Sequence, residues 1–390
     1  MLKATMKHYR LHRFMFIIFR RTAGLYIKRM MKYKCEKRKG PEAPSIIIAN
    51  HNTNLDPVLI AMSYSRHMYF LTSEHVLRKG IASRLLRFFL NPIPINKSKT
   101  DANAIKEMIR RVRAGGNVCF FAEGDRSFSG TTGPITNSAA KLVKKSGADL
   151  ITFRLEGGYF TAPRWARKQR RGGMRGRHVN RYSSEEIKTM SAEQITRLIE
   201  SDIYEDAYER QKASLIRYRG KNLAEGIETV LYLCPRCEKL GTLKSEGERF
   251  FCGCGLDAVY SETGLLVGDG LRFSTIREWD EWQTEKLSEI VDGAGDSPIC
   301  SDEGQVLYVV RTAAESLQVG QGTMEISRDE FHCAGHSFPM EQITRFAVTG
   351  QMTLIFALRD GTSYEVYSQW PRSALKYREI YRILTTGKAT

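Results

Sequence analysis

Long apolar segments are missing from the start of this chain. The longest apolar run near the amino terminus covers residues 14–19, whereas a membrane-spanning helix needs about 20 apolar residues. The basic amino terminus leads into no long apolar run with a small-residue cleavage site, so we expect no secretory signal. Together these absences predict a cytoplasmic protein that has no spanning helix in this region.

Cysteines outside one short cluster are few and scattered. Cys35, Cys119, Cys300 and Cys333 lie far apart in the sequence, which is not the pattern of a disulfide-stabilised secreted domain. The other four of the eight cysteines fall within residues 234–254. This usage predicts reducing, cytosolic surroundings and a metal site.

Acidic residues are scarce in the first part of the chain. The first 40 residues contain 13 Lys or Arg and one Glu. Residues 1–223 contain 44 basic and 18 acidic side chains, whereas residues 224–390 contain 16 and 25, within a formal net charge of +17. The length of 390 residues allows two or three domains. The basic part favours an anionic surface or an anionic substrate as its partner.

Residues 11–26 have the spacing of an amphipathic helix, with arginines beside an apolar stripe. Such a helix can lie in the headgroup layer, where each basic residue adds about 1 kcal/mol on an anionic leaflet. The alternative is a helix that packs on its own domain with a solvated basic face. The apolar positions are Leu11, Phe14, Met15, Ile18, Leu25 and Tyr26.

A polar loop follows the apolar strand predicted at residues 46–49. The sequence IIIANHNTNLDP brings Asn50 and His51 to the end of that strand, and Asp56 comes five residues after His51. An aspartate before a proline is a good helix start, with Asp56 as N-cap and Pro57 in the first helical position. An imidazole held by a carboxylate is a common general base. The alternative is a loop histidine beside a simple cap.

A second polar loop follows the strand predicted at residues 118–121. It reads AEGDRS and contains Glu123, Gly124 and Arg126. Strands and helices alternate over residues 41–183, which predicts an α/β domain, and active sites of open α/β sheets lie at strand carboxyl ends. The loop is therefore a candidate part of the same site. Its alternative reading is an ordinary turn with a surface ion pair.

The two loops together resemble the phospholipid/glycerol (PlsC-type) acyltransferases, a family that includes enzymes that acylate lysophosphatidic acid. The resemblance covers roughly residues 41–165. The family's N-H-x4-D motif is intact, and its F-P-E-G-x-R-S motif keeps the Glu, Gly, Arg and Ser. The matching positions are Asn50, His51, Asp56, Glu123, Gly124, Arg126 and Ser127.

Four positions depart from the family's pattern. Lys97 stands where the second motif has arginine, so a cation is kept without the bidentate fork. Ala122 replaces a proline, and Asp125 stands where threonine is common. Thr152 takes the place of the proline in the fourth motif. An aspartate beside a phosphate cradle is unfavourable unless it points away or pairs with Arg126.

The resemblance implies a direct acyl transfer without an acyl-enzyme. His51, held by Asp56, would remove the proton of the acceptor's hydroxyl. The oxygen would then attack the thioester carbonyl of the co-substrate, acyl-CoA or acyl carrier protein. These two residues are accordingly expected to be the catalytic pair.

The resemblance also implies a set of substrate-binding residues. Lys97 and Arg126 would hold the acceptor's phosphate, with help from backbone amides near Gly124. Asn50 and Glu123 are counted in the same set. Glu123 would either fix the loop or accept a hydrogen bond from the acceptor.

A strongly basic run covers residues 164–181 and contains eight Lys or Arg. A solvated loop and a nucleic-acid surface would both show these charges. Beside the acyltransferase-like loops, a surface for an anionic headgroup or for the phosphates of CoA is the better interpretation.

Cysteines in the order C-x2-C-x14-C-x-C predict a four-thiolate zinc ribbon, with iron as the rival metal. With no open coordination position, the metal would be structural. The ribbon lies in the acidic half of the chain, which weakens the case for nucleic acid. The ligands would be Cys234, Cys237, Cys252 and Cys254.

The last part of the chain alternates like short strands over residues 305–370, with a final helix after Pro371. A small antiparallel barrel closed by a helix, of pleckstrin-homology-like type, would fit. His332, Cys333 and His336 are interpreted as core and turn residues rather than as a second metal site.

The fold class expected is α/β, with an acyltransferase-type domain followed by a small zinc ribbon and a β-rich domain. The expected segments are 1–40 (membrane-contacting), 41–183 (acyltransferase), 184–223 (connecting helices), 224–262 (zinc ribbon) and 263–390 (β-rich, with a terminal helix).

The leading functional hypothesis is a cytoplasmic O-acyltransferase that works peripherally on an anionic membrane surface. Its acceptor would be a lysophospholipid or glycerol phosphate. The alternative is a regulatory or scaffold protein with an inactive acyltransferase fold, which binds partners through the ribbon and the last domain. Nucleic acid is not expected as a partner, because that function leaves His51 and Asp56 without a role.

Overall fold

The computed structural model describes residues 2–36, 44–73, 77, 80–95, 102–135, 137–312 and 315–386. They fall into two compact units. The first unit consists of residues before 220, apart from two short segments, and the second consists of residues from Gly220 onward together with Trp165–Lys168. The five-segment division expected from the sequence stays a prediction.

The first unit is built on a seven-stranded sheet in the order β1-β7-β6-β2-β5-β3-β4. Neighbouring strands are parallel except β6 and β7, which are antiparallel. The strands are β1 (Tyr33–Cys35), β2 (Ser45–Ala49), β3 (Met68–Ser73), β4 (Ile93–Ile95), β5 (Asn117–Phe121), β6 (Asp149–Glu156) and β7 (Met174–Tyr182).

Helices of the first unit alternate with these strands, as the sequence predicts. Two of them, α8 and α9, begin with capping boxes at Ser183 and Ser191. The helices are α1 (Leu2–Arg21), α2 (Ala23–Met30), α3 (Asp56–Ser63), α4 (Gly80–Leu90), α5 (Ala102–Arg113), α6 (Asn137–Ser146), α7 (Gly158–Thr161), α8 (Ser184–Thr189), α9 (Ala192–Ile203) and α10 (Ala207–Ala213).

Both faces of the central sheet are buried. On one face, Ile47 of β2 packs with Phe16 of α1 and Leu59 of α3. On the other face, Ile46 and Ile48 pack with apolar residues of α5, α6 and α9. Because β2 is buried on both faces, it reads as a continuous apolar run rather than an alternating one. The loops after β2 and β5 leave this core at the same edge of the sheet, since the two strands are parallel neighbours.

The amino-terminal helix is interrupted near Thr22, where α1 gives way to α2. Phe16 is buried, whereas Phe14, Leu25 and Tyr26 are exposed. Part of the predicted apolar stripe therefore faces outward. No helix in the described part of the chain is long and apolar enough to span a bilayer.

The second unit contains a small four-stranded antiparallel sheet and a larger seven-stranded one. Their strands are β8 (Leu243–Glu246), β9 (Arg249–Cys252), β10 (Asp257–Tyr260), β11 (Leu266–Val267), β12 (Cys300–Val310), β13 (Ser316–Ile326), β14 (Glu330–Cys333), β15 (His336–Pro339), β16 (Ile343–Thr349), β17 (Thr353–Leu358) and β18 (Ser363–Ser368). Two helices, α11 (Ile276–Gly293) and α12 (Ala374–Thr386), belong to the same unit.

The larger sheet has the order β15-β14-β13-β12-β18-β17-β16 and curls on itself. A short 3₁₀ turn at Met340–Gln342 joins the two outer strands. Phe331 of β14 contacts Phe346 of β16 with ring centroids 5.0 Å apart, so opposite ends of the sheet share one core. The β-rich character of this region and its terminal helix are as predicted. The pleckstrin-homology-like interpretation stays a prediction.

Candidate active site

His51 and Asp56 lie together at the carboxyl end of β2. His51 Nδ1 is 2.9 Å from Asp56 Oδ2, so the ring donates from Nδ1 when the carboxylate is charged. In that neutral tautomer, Nε2 is the nitrogen that can accept a proton. About one fifth of the His51 side chain is exposed, whereas Asp56 is fully buried. The geometry is that of a base oriented by a carboxylate.

The carboxylate of Asp56 is held by the loop that precedes it. Oδ2 accepts the backbone N–H of Asn52 at 2.6 Å and that of Thr53 at 2.8 Å, and Oδ1 accepts the Thr53 hydroxyl at 2.7 Å. The sequence predicted an N-cap here, and this is a correction. Asp56 is the first residue of α3 and its oxygens turn back to the loop, because residues 52 and 53 present their N–H groups to it.

The ring of His51 packs face to face on the ring of Phe121, the last residue of β5. The two rings are stacked, with centroids 4.0 Å apart and planes 14° apart. The backbone carbonyl of His51 also accepts the N–H of Ser127 at 3.0 Å. These contacts tie the two polar loops together around the imidazole.

Glu123 connects its own loop to the histidine loop through a hydrogen bond to the backbone of His51. Oε1 accepts the backbone N–H of His51 at 2.6 Å, and Oε2 accepts that of Gly133 at 2.7 Å. Burial raises the pKa of Glu123 to about 8, although the two N–H donors act in the opposite direction. Both oxygens are thus used by the backbone, which corresponds to the loop-fixing role rather than to contact with an acceptor.

Arg126 and Asp125 do not pair with each other. Asp125 Oδ1 lies 3.3 Å from Nη1 of Arg164, and that guanidinium also stacks on Phe128 at 4.0 Å. Burial, followed by the charge of Arg164, lowers the pKa of Arg126 to about 10. Within the described residues Arg126 has no carboxylate in ion-pair contact. Asp125 thus pairs with Arg164 rather than with Arg126, and the sequence did not single out Arg164 for this role.

Comparison with known proteins places this site in a family. Residues 31–156 match the family model described as Acyltransferase. This segment is similar to the Acyltransferase family. The match contains both polar loops, and it begins before β2 and ends with β6.

Relatives of the acyltransferase domain are distant in sequence. The probable 1-acyl-sn-glycerol-3-phosphate acyltransferase of Mycoplasma genitalium is 23% identical over 139 residues, which is 34% of this chain and 52% of that protein. The chloroplastic 1-acyl-sn-glycerol-3-phosphate acyltransferase BAT2 of Brassica napus is 22% identical over 124 residues, 31% of this chain and 36% of that protein. The chain thus spans about half of the first relative and about a third of the second.

One solved structure with a related chain is the 1-acyl-sn-glycerophosphate (LPA) acyltransferase PlsC of Thermotoga maritima. It aligns with a TM-score of 0.42 and 16% identity, over 50% of this chain and 78% of that chain.

Asn50 lies directly after β2 and is hydrogen-bonded inside the protein. Its side chain is buried, donates to the carbonyl of Leu155 at 2.8 Å and accepts the N–H of Leu155 at 2.7 Å. The same amide donates to Glu205 Oε2 at 3.3 Å. These bonds engage the polar atoms of Asn50 inside the protein, and its role in substrate binding stays a prediction. They anchor the end of β2 to β6.

Glu205 is a buried residue that sequence reasoning missed. Its carboxylate accepts hydrogen bonds from Asn50, Asn52 and the N–H of Gly157, and Arg210 pairs with it at 2.9 Å. Burial raises the pKa of Glu205, and Arg210 opposes that shift. It lies in a short linker between α9 and α10. Nothing in that linker's sequence indicates a role at the histidine loop.

Two further predicted phosphate contacts are Gly124 and Lys97. Gly124 is exposed in a left-handed conformation (φ +74°), and its N–H donates to the carbonyl of Phe121 at 3.2 Å. Its own amide is therefore committed to the turn. Lys97 lies outside the described residues.

The four clustered cysteines converge in the second unit. All four Sγ atoms lie within 4.8 Å of one another. Cys234 Sγ is 3.6 Å from Cys254 Sγ, and Cys237 Sγ is 3.9 Å from Cys252 Sγ. A tetrahedral Zn²⁺ with Zn–S bonds of about 2.3 Å requires S–S separations of about 3.8 Å. The cluster therefore fits a four-thiolate metal site, and within the described residues it is the one group found that could hold a metal.

Proposed function

We propose that this protein is an O-acyltransferase that works at a membrane surface. It would move a fatty acyl group from acyl-CoA or acyl carrier protein to the hydroxyl of a lysophosphatidic acid-like acceptor. The observation that carries the proposal is the contact between His51 Nδ1 and the buried carboxylate of Asp56, inside an acyltransferase domain.

His51 acts as the general base in this reaction. Nε2 takes the proton of the acceptor's hydroxyl as the oxygen forms a bond to the thioester carbonyl carbon. The carbon–sulfur bond then breaks, and the leaving thiolate takes the proton from the imidazolium. Asp56 stabilises the imidazolium and holds Nδ1 in its donor role. The protein itself forms no covalent bond to the acyl group.

Arg126 is the residue proposed to bind the acceptor's phosphate. It follows Glu123 in the second loop, and the same loop is tied to His51 through Ser127. No described carboxylate neutralises it in ion-pair contact, so its charge is available for an anion. Lys97 would add a second cation from outside the described residues. The two curated relatives, both named for 1-acyl-sn-glycerol-3-phosphate, support this choice of acceptor.

Peripheral membrane contact is proposed for the surface formed by α1 and α4. The helices are adjacent, since Asn91, the residue that directly follows α4, donates to Nδ1 of His12 in α1 at 3.1 Å. An exposed apolar surface flanked by arginines suits an anionic leaflet. We call this set the apolar surface: Leu11, Phe14, Ile17, Ile81, Leu85 and Phe88.

The metal proposed for the cysteine cluster is zinc in a structural role. The four thiolates would complete a tetrahedral shell, so no position is left for a water or a substrate. Zinc would supply stability to β8–β11 rather than chemistry. The sulfur positions and the four-thiolate donor set support this assignment.

The decisive experiment uses the full chain with labelled acyl-CoA and a panel of lysolipids, alongside His51→Ala. We expect label in a diacyl product with lysophosphatidic acid, and a large loss of that product in the variant. Repeating the assay with acyl carrier protein identifies the donor. Absence of transfer to every acceptor, or equal transfer by His51→Ala, would refute the enzyme and favour a scaffold protein with an inactive fold.

A further inference from the structure

A basic cavity of about 1050 Å³ lies in the first unit, beside the edge strand β1. Five of its lining residues are Lys or Arg and two are Glu. Its lining contains no residue of the histidine loop or of the loop after β5. The basic residues are Lys32, Lys34, Arg175, Arg177 and Arg210.

Pairing in the sheet places several of these charges side by side. Lys34 is in register with Arg175, and Arg175 with Glu156. Residues paired across neighbouring strands project from the same face, and so do residues two apart on one strand, which adds Arg177. These cations therefore share one face at the edge of the sheet.

The carboxylates nearby neutralise only part of this group of five cations. Glu156 lies 3.5 Å from Arg177 and 3.8 Å from Arg154, and Arg210 is paired with Glu205. No ion pair within the described residues involves Lys32, Lys34 or Arg175. The cavity therefore has a net positive charge that suits a phosphate.

Lys32 has an unusual backbone for a charged residue in such a place. It adopts a left-handed conformation (φ +47°) between α2 and β1. Glycine or asparagine fills that conformation with less strain than lysine. A lysine at a strained turn beside a cationic cavity supports a role for its charge there.

A second cavity, of about 770 Å³, adjoins the first along α2. The two share Lys32 and Lys34. The second is lined by Leu25, Tyr26 and Tyr33 together with the aliphatic parts of basic side chains, and 57% of Leu25 and 70% of Tyr26 are exposed. We call it the apolar groove. An apolar groove that continues into a basic cavity matches a molecule with a hydrocarbon chain and a phosphate.

We propose that an anionic glycerophospholipid binds here, with its phosphate in the basic cavity and one acyl chain in the apolar groove. The site shares no lining residue with the two polar loops. It is linked to the histidine loop through Arg210, which pairs with Glu205, the carboxylate that accepts hydrogen bonds from Asn50 and Asn52. The proposal does not depend on the acyl-transfer reaction, and a lipid bound here would hold the first unit on an anionic leaflet.

The test is calorimetric titration of the full chain with dihexanoyl phosphatidic acid, kept below its critical micelle concentration so that no membrane forms. Dihexanoyl phosphatidylcholine has the same chains without the net charge, and glycerol 3-phosphate has the phosphate without the chains. We expect the phosphatidic acid to bind at least tenfold more tightly than either. Arg126→Ala, which lacks the residue proposed to bind the acceptor's phosphate in the catalytic site, should bind it as the wild type does, which separates this site from the catalytic one.

Substitutions in the basic cavity and in the apolar groove test where on the protein the lipid binds. The double variant Lys34→Ala/Arg175→Ala should weaken binding at least tenfold, whereas Lys106→Ala/Arg113→Ala, with equal charge loss at exposed positions of α5, should leave it unchanged. Lys32→Asn removes a charge at a backbone suited to asparagine, so it should weaken binding without loss of thermal stability. Leu25→Ser should weaken lipid binding and leave the weak affinity for glycerol 3-phosphate unchanged.

Three results would overturn the proposal. The first is equal binding of phosphatidylcholine and phosphatidic acid. The second is equal weakening by the α5 control pair. The third is tight binding of adenosine 3′,5′-bisphosphate that the Lys34/Arg175 variant abolishes while phosphatidic acid does not bind, because the cavity would then serve a nucleotide.

Discussion

Glu123 accepts a hydrogen bond from the backbone N–H of His51 at 2.6 Å, although 72 residues separate them in the chain. Its second oxygen holds Gly133 at 2.7 Å. One carboxylate thus positions the histidine through its backbone, while Asp56 orients the ring. His51 is fixed from two sides by two different loops, which would pre-organise it for its proposed role as general base.

We therefore predict that Glu123→Gln lowers both activity and stability. The amide nitrogen of glutamine must face either His51 N–H or Gly133 N–H, and an unsatisfied buried donor costs about 1–3 kcal/mol. We expect the free energy of unfolding to fall by about that amount and kcat to fall at least tenfold. Urea unfolding and the lysolipid assay measure the two effects. Wild-type activity in this variant would show that the N–H contacts do not position His51.

Stability should also depend on pH through Glu123. Burial raises its folded-state pKa to about 8, above its ordinary value of 4.5. Between these values the folded state binds more protons than the unfolded state, so stability falls as pH rises from about 4.5 to about 8. The stability difference between wild type and Glu123→Gln should shrink over that window and level off above it. A difference that stays constant or grows with pH would contradict this.

The second prediction separates the two members of the catalytic pair. His51→Ala should reduce kcat about 10²–10⁴-fold with little change in unfolding free energy, since the partly exposed ring makes few buried polar contacts. Asp56→Asn should reduce kcat and also destabilise the fold by about 1–3 kcal/mol, because its amide would face N–H groups of Asn52 and Thr53.

Combining the two substitutions tests whether they act as one unit. The double variant should lose little more activity than His51→Ala alone, since the carboxylate acts through the ring. Its stability should match that of Asp56→Asn. Activity losses that multiply would show that Asp56 contributes by a separate route.

Local signals in the sequence were enough to locate the main parts of this site. The strand predicted at 46–49 is found at Ser45–Ala49, and the histidine and aspartate that follow it meet. The dipeptide Asp360-Gly361, a typical hairpin signal, lies between β17 and β18, with Gly361 at φ +88°. In each case the signal lies within a few residues of the feature it predicts: an apolar run, a turn dipeptide or a short motif.

Contacts between distant segments could not be predicted in this way. Glu205 lies 155 residues after Asn50 yet accepts a hydrogen bond from it, and Arg164 lies far beyond Asp125 yet pairs with it. Buried carboxylates and arginines pair with the groups that tertiary packing brings close to them. A single sequence does not show which groups those are. The error at Asp56 has a different cause, because its partners Asn52 and Thr53 lie only three or four residues before it, and the path of the loop directs their N–H groups to the carboxylate.

The third prediction concerns Arg126 and the acceptor's phosphate. Arg126→Ala should raise KM for lysophosphatidic acid about 10–100-fold, which corresponds to about 1.5–3 kcal/mol for a hydrogen bond to a charged group. Rates with monoacylglycerol, which has no phosphate, should change little. Arg164→Ala is the comparison, because it should destabilise the loop and reduce activity with both acceptors. An equal loss for both acceptors in Arg126→Ala would remove its assignment as the phosphate ligand.

The fourth prediction tests the cysteine cluster. Cys254→Ser should reduce bound zinc well below one per chain and lower the melting temperature of the second unit, because a structural site needs all four thiolates. Cys35→Ser is the matched control, since both cysteines are partly buried and Cys35 lies outside the cluster. Metal content is measured by atomic emission. Zinc content that is unchanged in Cys254→Ser, or iron in its place, would contradict the zinc assignment.

The last prediction concerns the apolar surface of α1 and α4. Phe14 is 59% exposed and Ile81 is 75% exposed, so replacing both by serine should leave stability nearly unchanged. Each side chain could contribute about 1 kcal/mol by burial in the interface, and the double variant should bind anionic vesicles about tenfold or more weakly in sedimentation assays. Val267→Ser/Leu317→Ser, at exposed apolar positions of the second unit, is the control. Raising the salt concentration should weaken wild-type binding, because the flanking arginines are screened. If the control pair weakens binding equally, or neither pair does, the contact with the membrane lies elsewhere on the protein.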